Sequence, residues 1–229
     1  MSASHSQPND IVVIEPPTGW KLIDFAELAH YRDLLYYLVW RDIKVLYAQT
    51  ILGFAWAILN PAIQILVFTI IFGKVAKIPT DGIPYALFST VAIVPWTYMS
   101  DAMNSSSQSL VGGQHILGKI YFPRIIFPFT SVLAKLVDFS IAMLLVVACM
   151  IWFDVELTLN LLALPLFIAI MMTVPFGIGL WLSALAIRYR DVKFAMGFII
   201  KMLIYSAPIL YPASAVPENW RMVYSINPI

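Results

Sequence analysis

Charged side chains are scarce in this sequence. Only 12% of its 229 residues are Asp, Glu, Lys or Arg, against roughly 25% in soluble domains. The 14 basic and 13 acidic residues leave a net charge of +1, which argues against a basic surface built to hold nucleic acid. Cysteine occurs once, as Cys149 in an apolar run, so neither an intrachain disulfide nor a thiolate metal cluster is available. The histidines His5, His30 and His115 are scattered and form no HExxH-type zinc pattern. Residues 1 to 20 are polar and proline-containing and lack the apolar core of a cleavable signal peptide. Targeting is therefore expected from an internal span.

A nucleotide-binding loop is present only in part. The stretch VGGQHILGKIYFPR places Gly113, Gly118 and Lys119 at Walker A spacing. A working loop needs Ser or Thr directly after the lysine to hold magnesium, and a preceding strand that turns into a helix around the phosphates. Here Ile120 follows Lys119, and the upstream NSSSQSL is no strand. The stretch thus departs from a phosphate loop in two required features.

Apolar residues are in excess, at 61% of the chain with a mean hydropathy of +0.83, well above the roughly 45–50% of soluble domains. The chain reads as an all-α, polytopic transmembrane helical bundle. Residues 1–27 form a cytoplasmic tail and residues 28–229 a transmembrane domain. Over 28–48, Leu34, Leu35, Leu38, Val39, Ile43 and Leu46 recur at helical spacing among charges, Tyr and Trp. That pattern predicts an amphipathic helix lying in the membrane interface. A bilayer core needs about 20 apolar residues in a helix, which places spans near 51–73, 83–108, 125–152, 158–187 and 194–211. Pro61 is expected to kink the first. The second ends in DAMNSSSQS, polar enough to require a protein or water neighbour. The third holds Lys135 and Asp138 on one helical face as an internal ion pair, and Lys201 interrupts the fifth. Residues 212–229, with Pro212, Pro217 and Pro228, read as an external, irregular or re-entrant segment.

Short-loop Lys and Arg decide orientation. An inside amino terminus puts Arg32, Arg41, Lys44, Lys119, Arg124, Arg188, Arg190 and Lys193 in the cytoplasm, against Lys74, Lys77 and Arg221 outside. The stretch VGGQHILGKIYFPR is then cytoplasmic.

Five stretches, in this order, resemble the membrane subunits of polysaccharide-exporting ABC transporters, the type that moves lipid-linked O-antigen, capsule or teichoic acid. They are WRDIKVLYAQTILGFAWAILNP at 40–61, VPWTY at 94–98, LGKIYFPRIIFP at 117–128, RYRDV at 188–192 and YPASAVPENWRMVYSINP at 211–228. The resemblance implies an inner-membrane permease, not an enzyme, with no cofactor of its own. A separate ABC ATPase subunit would hold ATP and Mg, and two copies of each chain would form the transporter. It implies a coupling helix in the loop of LGKIYFPR, which makes His115, Lys119, Phe122, Pro123 and Arg124 candidate ATPase contacts, with Phe122 as an aromatic anchor. Arg188, Arg190 and Asp191 form a second cytoplasmic loop that could touch the ATPase or the lipid pyrophosphate. Arg41, Asp42 and Lys44 are candidates on the interface helix, where Leu46 stands in place of the basic residue pictured in many relatives. For all these charges, ordinary positive-inside anchoring is the competing explanation.

A sugar polymer needs a wide, hydrated path, which two copies could enclose at a two-fold interface. Tyr85, Phe88, Trp96, Tyr98, Tyr205 and Tyr211 are candidate aromatic linings, unless they pack helices or form lipid-facing belts. Asn104, Ser105 and Gln108 are candidate polar linings. The resemblance also implies a sixth span after Asn227 and Pro228, and external gate helices in the proline-rich segment. Two other readings stand beside it. One is an ion-coupled carrier using Asp101, Lys135, Asp138 and Lys201. The other is a membrane glycosyl- or phosphotransferase, for which no clustered carboxylates or histidines are present.

Overall fold

The computed structural model describes residues 25–48, 50–119, 121–155 and 158–212, together with 214 and 217. The expected tail before residue 25 and most of the segment 212–229 lie outside the described residues. Among the described residues all regular structure is helical. Helices α1 (Phe25–His30) and α2 (Arg32–Tyr47) precede α3 (Ala55–Phe68), which widens into a π-helical stretch over Thr69–Val75. Then come α4 (Tyr85–Gly112), α5 (Gln114–Leu117), α6 (Ile126–Trp152), a 3₁₀ turn (Leu159–Ala163), α7 (Leu164–Arg188) and α8 (Asp191–Ser206).

Local chemistry sets several of these boundaries. The amphipathic helix expected over 28–48 is divided at Tyr31, whose ψ of 19° leaves the helical region. Ala48 turns extended, with ψ of 137°, and Gly53 takes a φ of +50°, which glycine adopts without steric cost. The first membrane helix therefore starts at Ala55. Pro61 is buried inside α3 and does not end it. It removes one backbone donor from a helix that continues on either side.

Among the described residues, three helices are long and apolar enough to cross a membrane: Ala55–Val75, Ile126–Trp152 and Leu161–Arg188. The two other expected spans differ from these for separate reasons. Helix α4 has 28 residues, about 42 Å of helix, but Asp101 and the run Asn104 to Ser109 dilute its apolar character. Helix α8 has 16 residues, about 24 Å, which is shorter than a hydrocarbon core of about 30 Å.

Helix α4 tolerates its polar residues because it is the centre of the bundle, packed most extensively on α6 and α7 and also on α3 and α8. Its buried serines donate to carbonyls of their own helix, Ser106 to Met103 at 3.3 Å and Ser107 to Asn104 at 2.8 Å. Small side chains satisfied in this way let membrane helices approach closely. Ser106 Oγ also reaches the Pro175 carbonyl of α7 at 3.0 Å. A Cβ added at Gly179 would lie 2.0 Å from that same Oγ, so glycine is required at this crossing.

The side-chain clusters give the helix directions. Val94, Tyr98 and Ala102 pack near Ile168, Met171 and Met172, while Ser106 meets Pro175 and Gly179. Helices α4 and α7 therefore run parallel. Helix α8 runs opposite to α4, with Met196 beside Met99 and Met103 and the following Ala207 and Ile209 beside Ile93 and Trp96. One end of the bundle thus gathers α2, the start of α3, α5 with the loop to Arg124, and the turn from Arg188 to Asp191.

Candidate functional site

That end is organised around an apolar cluster. Leu38 of α2, Leu110 of α4, and Phe122, Ile126 and Phe127 around the start of α6 are buried together, with Leu34, Leu35, Ile116 and Leu117 packed against them. Gly113 permits the close approach, because a Cβ there would lie 2.4 Å from the Phe127 ring. The loop between α4 and α6 is thereby fixed to the amphipathic helix α2.

Neighbouring residues of the loop part company on this platform. His115, Lys119 and Arg124 are exposed, and Pro123 is half-buried. Phe122 is not available as an outward anchor. It is 4% exposed, its ring 5.4 Å from that of Phe127, because burying an aromatic surface against α2 is more favourable than leaving it in water. Tyr121 is the outward aromatic, 59% exposed. Sequence periodicity misses it, since in a non-helical loop nothing fixes which of two adjacent aromatics turns inward. Phe122→Ala is expected to cost about 3–5 kcal/mol as a large-to-small core change. Tyr121→Ala is expected to stay within about 0.5 kcal/mol, and thermal unfolding of the detergent-solubilised protein compares the two.

The second loop is exposed throughout. Arg188, Arg190 and Asp191 all reach solvent, and the Arg188 guanidinium stacks 5.6 Å from the centre of the Tyr189 ring. Asp191 opens α8, where a negative charge suits the helix dipole. On α2, Arg41 and Asp42 are half-buried and bound to each other, with Arg41 donating from Nη2 at 2.7 Å and from Nε at 3.0 Å. Lys44 lies 5.3 Å from the centre of the Trp40 ring.

The candidate path residues divide between interior and surface. Tyr85 is buried and donates to the Leu210 carbonyl at 3.0 Å. Trp96 packs with Ile93, Ala207 and Ile209. Tyr98 donates to the Val132 carbonyl at 3.4 Å, its ring 5.3 Å from Phe139. These three stabilise the protomer from within, because α4 is enclosed on several sides and its large rings fill the space between its neighbours. Phe88 and Ser105 are half-buried, Asn104 and Tyr205 are exposed, and Tyr211 is half-buried and donates to the Tyr205 carbonyl at 3.0 Å. Gln108 holds Asn104 through a 2.9 Å bond from Nε2 to Oδ1.

The charges inside the membrane helices form a small network. Lys135 Nζ lies 3.1 Å from Asp138 Oδ2, and both side chains are largely buried. The hydroxyl of Tyr47, at the last turn of α2, donates to Asp138 Oδ1. Burial lifts the Tyr47 hydroxyl above its ordinary pKa, and the Asp138 carboxylate adds to the rise, so Tyr47 remains a donor. The spacing of Lys135 and Asp138 foretells their pairing, but no sequence signal joins Tyr47 to a residue 91 positions away. This network lines a cavity of about 220 Å³ between the end of α2, α3, α4 and α6.

Known proteins are similar in sequence to this chain over most of its length. The family model described as ABC-2 type transporter matches residues 33–229. The O-antigen export system permease protein RfbA of Myxococcus xanthus is 25% identical over 205 residues, covering 89% of this chain and 78% of the relative. A protein of the same description from Klebsiella pneumoniae is 26% identical over 203 residues, 88% of this chain and 78% of the relative. The polysialic acid transport protein KpsM of Escherichia coli is 22% identical over 195 residues, 82% of this chain and 74% of the relative.

Proposed function

The chain belongs to the ABC-2 type transporter family, and from that membership we propose that it is the permease subunit of an ATP-driven exporter moving a lipid-linked polysaccharide across the inner membrane. Two copies would pair around the path, and a separate ATPase subunit would bind ATP and Mg. The similarity to permeases named for O-antigen export and to a polysialic acid transport protein, over more than four fifths of this chain, carries the reading of the cargo. The observation that supports coupling is the gathering of exposed His115, Lys119, Tyr121, Arg124, Arg188 and Arg190 at one end of the bundle. His115, Lys119, Tyr121 and Arg124 stand on a loop fixed to α2 by a buried apolar cluster. A rigid platform of cations with one aromatic suits a partner that offers carboxylates and a pocket. The excess of Lys and Arg supports a cytoplasmic position for this end, where the ATPase would work. The partner's motion would enter through the loop before α6 and through α2, and Tyr47 would carry it to the middle of the bundle through Asp138. Of the four charges that an ion-coupled mechanism would use, Lys135 and Asp138 neutralise each other.

Copurification tests the proposal. The wild-type chain is expected to retain an ABC ATPase subunit when purified from its native cells. Lys119→Glu combined with Arg124→Glu is expected to weaken that association about a hundredfold, roughly the coupling energy of a close charge pair or two at a protein interface. An ATPase that never associates, or association untouched by both charge reversals, would refute it.

A further inference from the structure

We infer that the cavity between α2, α3, α4 and α6 binds a single sugar ring of the transported chain, an inference that rests on the exporter reading above. At about 220 Å³ it is smaller than the ~300 Å³ at which pockets for drug-sized ligands begin, which limits its occupant to one ring. Its walls combine Trp56, Asn60, Tyr98, Asp101, Lys135 and Asp138. A pyranose ring has two kinds of surface. Its axial C–H groups suit an aromatic face, here Trp56, which is 43% exposed. Its equatorial hydroxyls both donate and accept, and so suit carboxylates and amides.

The polar groups of the cavity are unequally committed. Asp138 is held by Lys135 and Tyr47. The side chains of Asp101 and Asn60 are exposed on the protomer and have no hydrogen bond or ion pair among the described residues. Thr97 Oγ1, on the same wall, is buried without a hydrogen-bond partner among them. Hydrocarbon would leave such groups unsatisfied at a cost of several kcal/mol each, so this side of the bundle faces water or a polar ligand. The charge selects the ligand further. The one ammonium of the cavity is already held by Asp138, so no free cation is offered to a pyrophosphate, and the remaining polar groups suit a neutral polyol. The site therefore holds a sugar unit and not the lipid's phosphate.

Photolabelling of the full chain in nanodiscs tests this. The probe is an octyl β-glucoside carrying a diazirine beside the ring, and the control is the same alkyl diazirine with a phosphocholine head. The glucoside is expected to label peptides from α3 and α4 about tenfold more than the control. Asp101→Leu and Trp56→Leu are each expected to lower that labelling about tenfold, the effect of losing one charge-assisted hydrogen bond or an aromatic wall. The milder Asp101→Asn and Trp56→Phe, which keep the shape of the site, should retain part of it. Equal labelling by both heads, or labelling that survives Asp101→Leu and Trp56→Leu, overturns the sugar site. Copurified ATPase is scored on the same samples. A failed sugar site leaves ATPase binding intact, whereas a failed exporter reading removes the ATPase whatever the labelling shows.

Discussion

Asp138→Leu is expected to destabilise the protein by about 3–5 kcal/mol, the usual penalty when one member of a buried ion pair is removed. The Lys135 ammonium would lose the carboxylate 3.1 Å from it inside the bundle, where a poorly paired charge is costly. Tyr47 would lose its acceptor at the same time. The double substitution Lys135→Met with Asp138→Leu should recover most of the loss, because apolar replacement of both members removes the stranded charge. Tyr47→Phe is the informative third variant. It keeps the ion pair and deletes one hydrogen bond to a charged acceptor, worth about 1.5–3 kcal/mol, and it frees the end of α2 from the middle of α6. Its expected signature is a small drop in thermal stability with a larger drop in export. Thermal unfolding in detergent and polymer export in cells separate the two quantities. An Asp138→Leu protein as stable as the wild type would show that the network is not holding the helices together.

Gly179→Leu is expected to prevent folded protein from accumulating. Even the first added carbon would sit 2.0 Å from Ser106 Oγ and 2.5 Å from Ser106 Cβ, and Ser106 is fully buried with no room to turn away. Alanine at this position should already cost about 1–3 kcal/mol by overpacking. The geometry dictates how a rescue must work. Ser106→Ala leaves the offending Cβ in place, so only Ser106→Gly should restore the Gly179→Ala protein. Gly177→Ala is the matched control on the same helix, since a Cβ there meets nothing within 4 Å. Fluorescence-detected size-exclusion profiles read all five variants. A monodisperse Gly179→Leu protein at wild-type yield would mean that α4 and α7 do not cross as closely as described.

Much of this arrangement is legible along the chain. Long, predominantly apolar stretches announce α3, α6 and α7, because hydrocarbon demands them of any lipid-facing helix. The three-residue spacing of Lys135 and Asp138 announces their pairing, which helix geometry alone guarantees. The polar run from Asn104 to Ser109 announces that α4 is sheltered from lipid, but its use is only half visible. Ser106 and Ser107 turn inward to pack, while Asn104 and Gln108 turn outward and hold each other. A run of consecutive polar residues on a helix covers every face, so composition cannot say which members pack.

Other features depend on contacts between distant segments. Phe122 and Tyr121 are adjacent aromatics, and only the presence of Leu38 and Phe127 decides which of them is buried. Along the chain, Tyr85, Trp96 and Tyr98 read as path linings or, more readily, as packing or lipid-facing belts. The enclosure of α4 by its neighbours buries all three within the protomer, with Tyr98 also edging the cavity.

By itself, then, the sequence determined that this is a helical membrane protein, where its most apolar helices run, and which basic loops share one side, because those properties follow from transfer of side chains between water and lipid. Tertiary structure alone decided that α4 occupies the centre, that Tyr47 reaches Asp138, and that a partly polar cavity opens between α2, α3, α4 and α6. Each of those depends on close packing between segments far apart in the chain, and the spacing of residues along one segment carries no record of it.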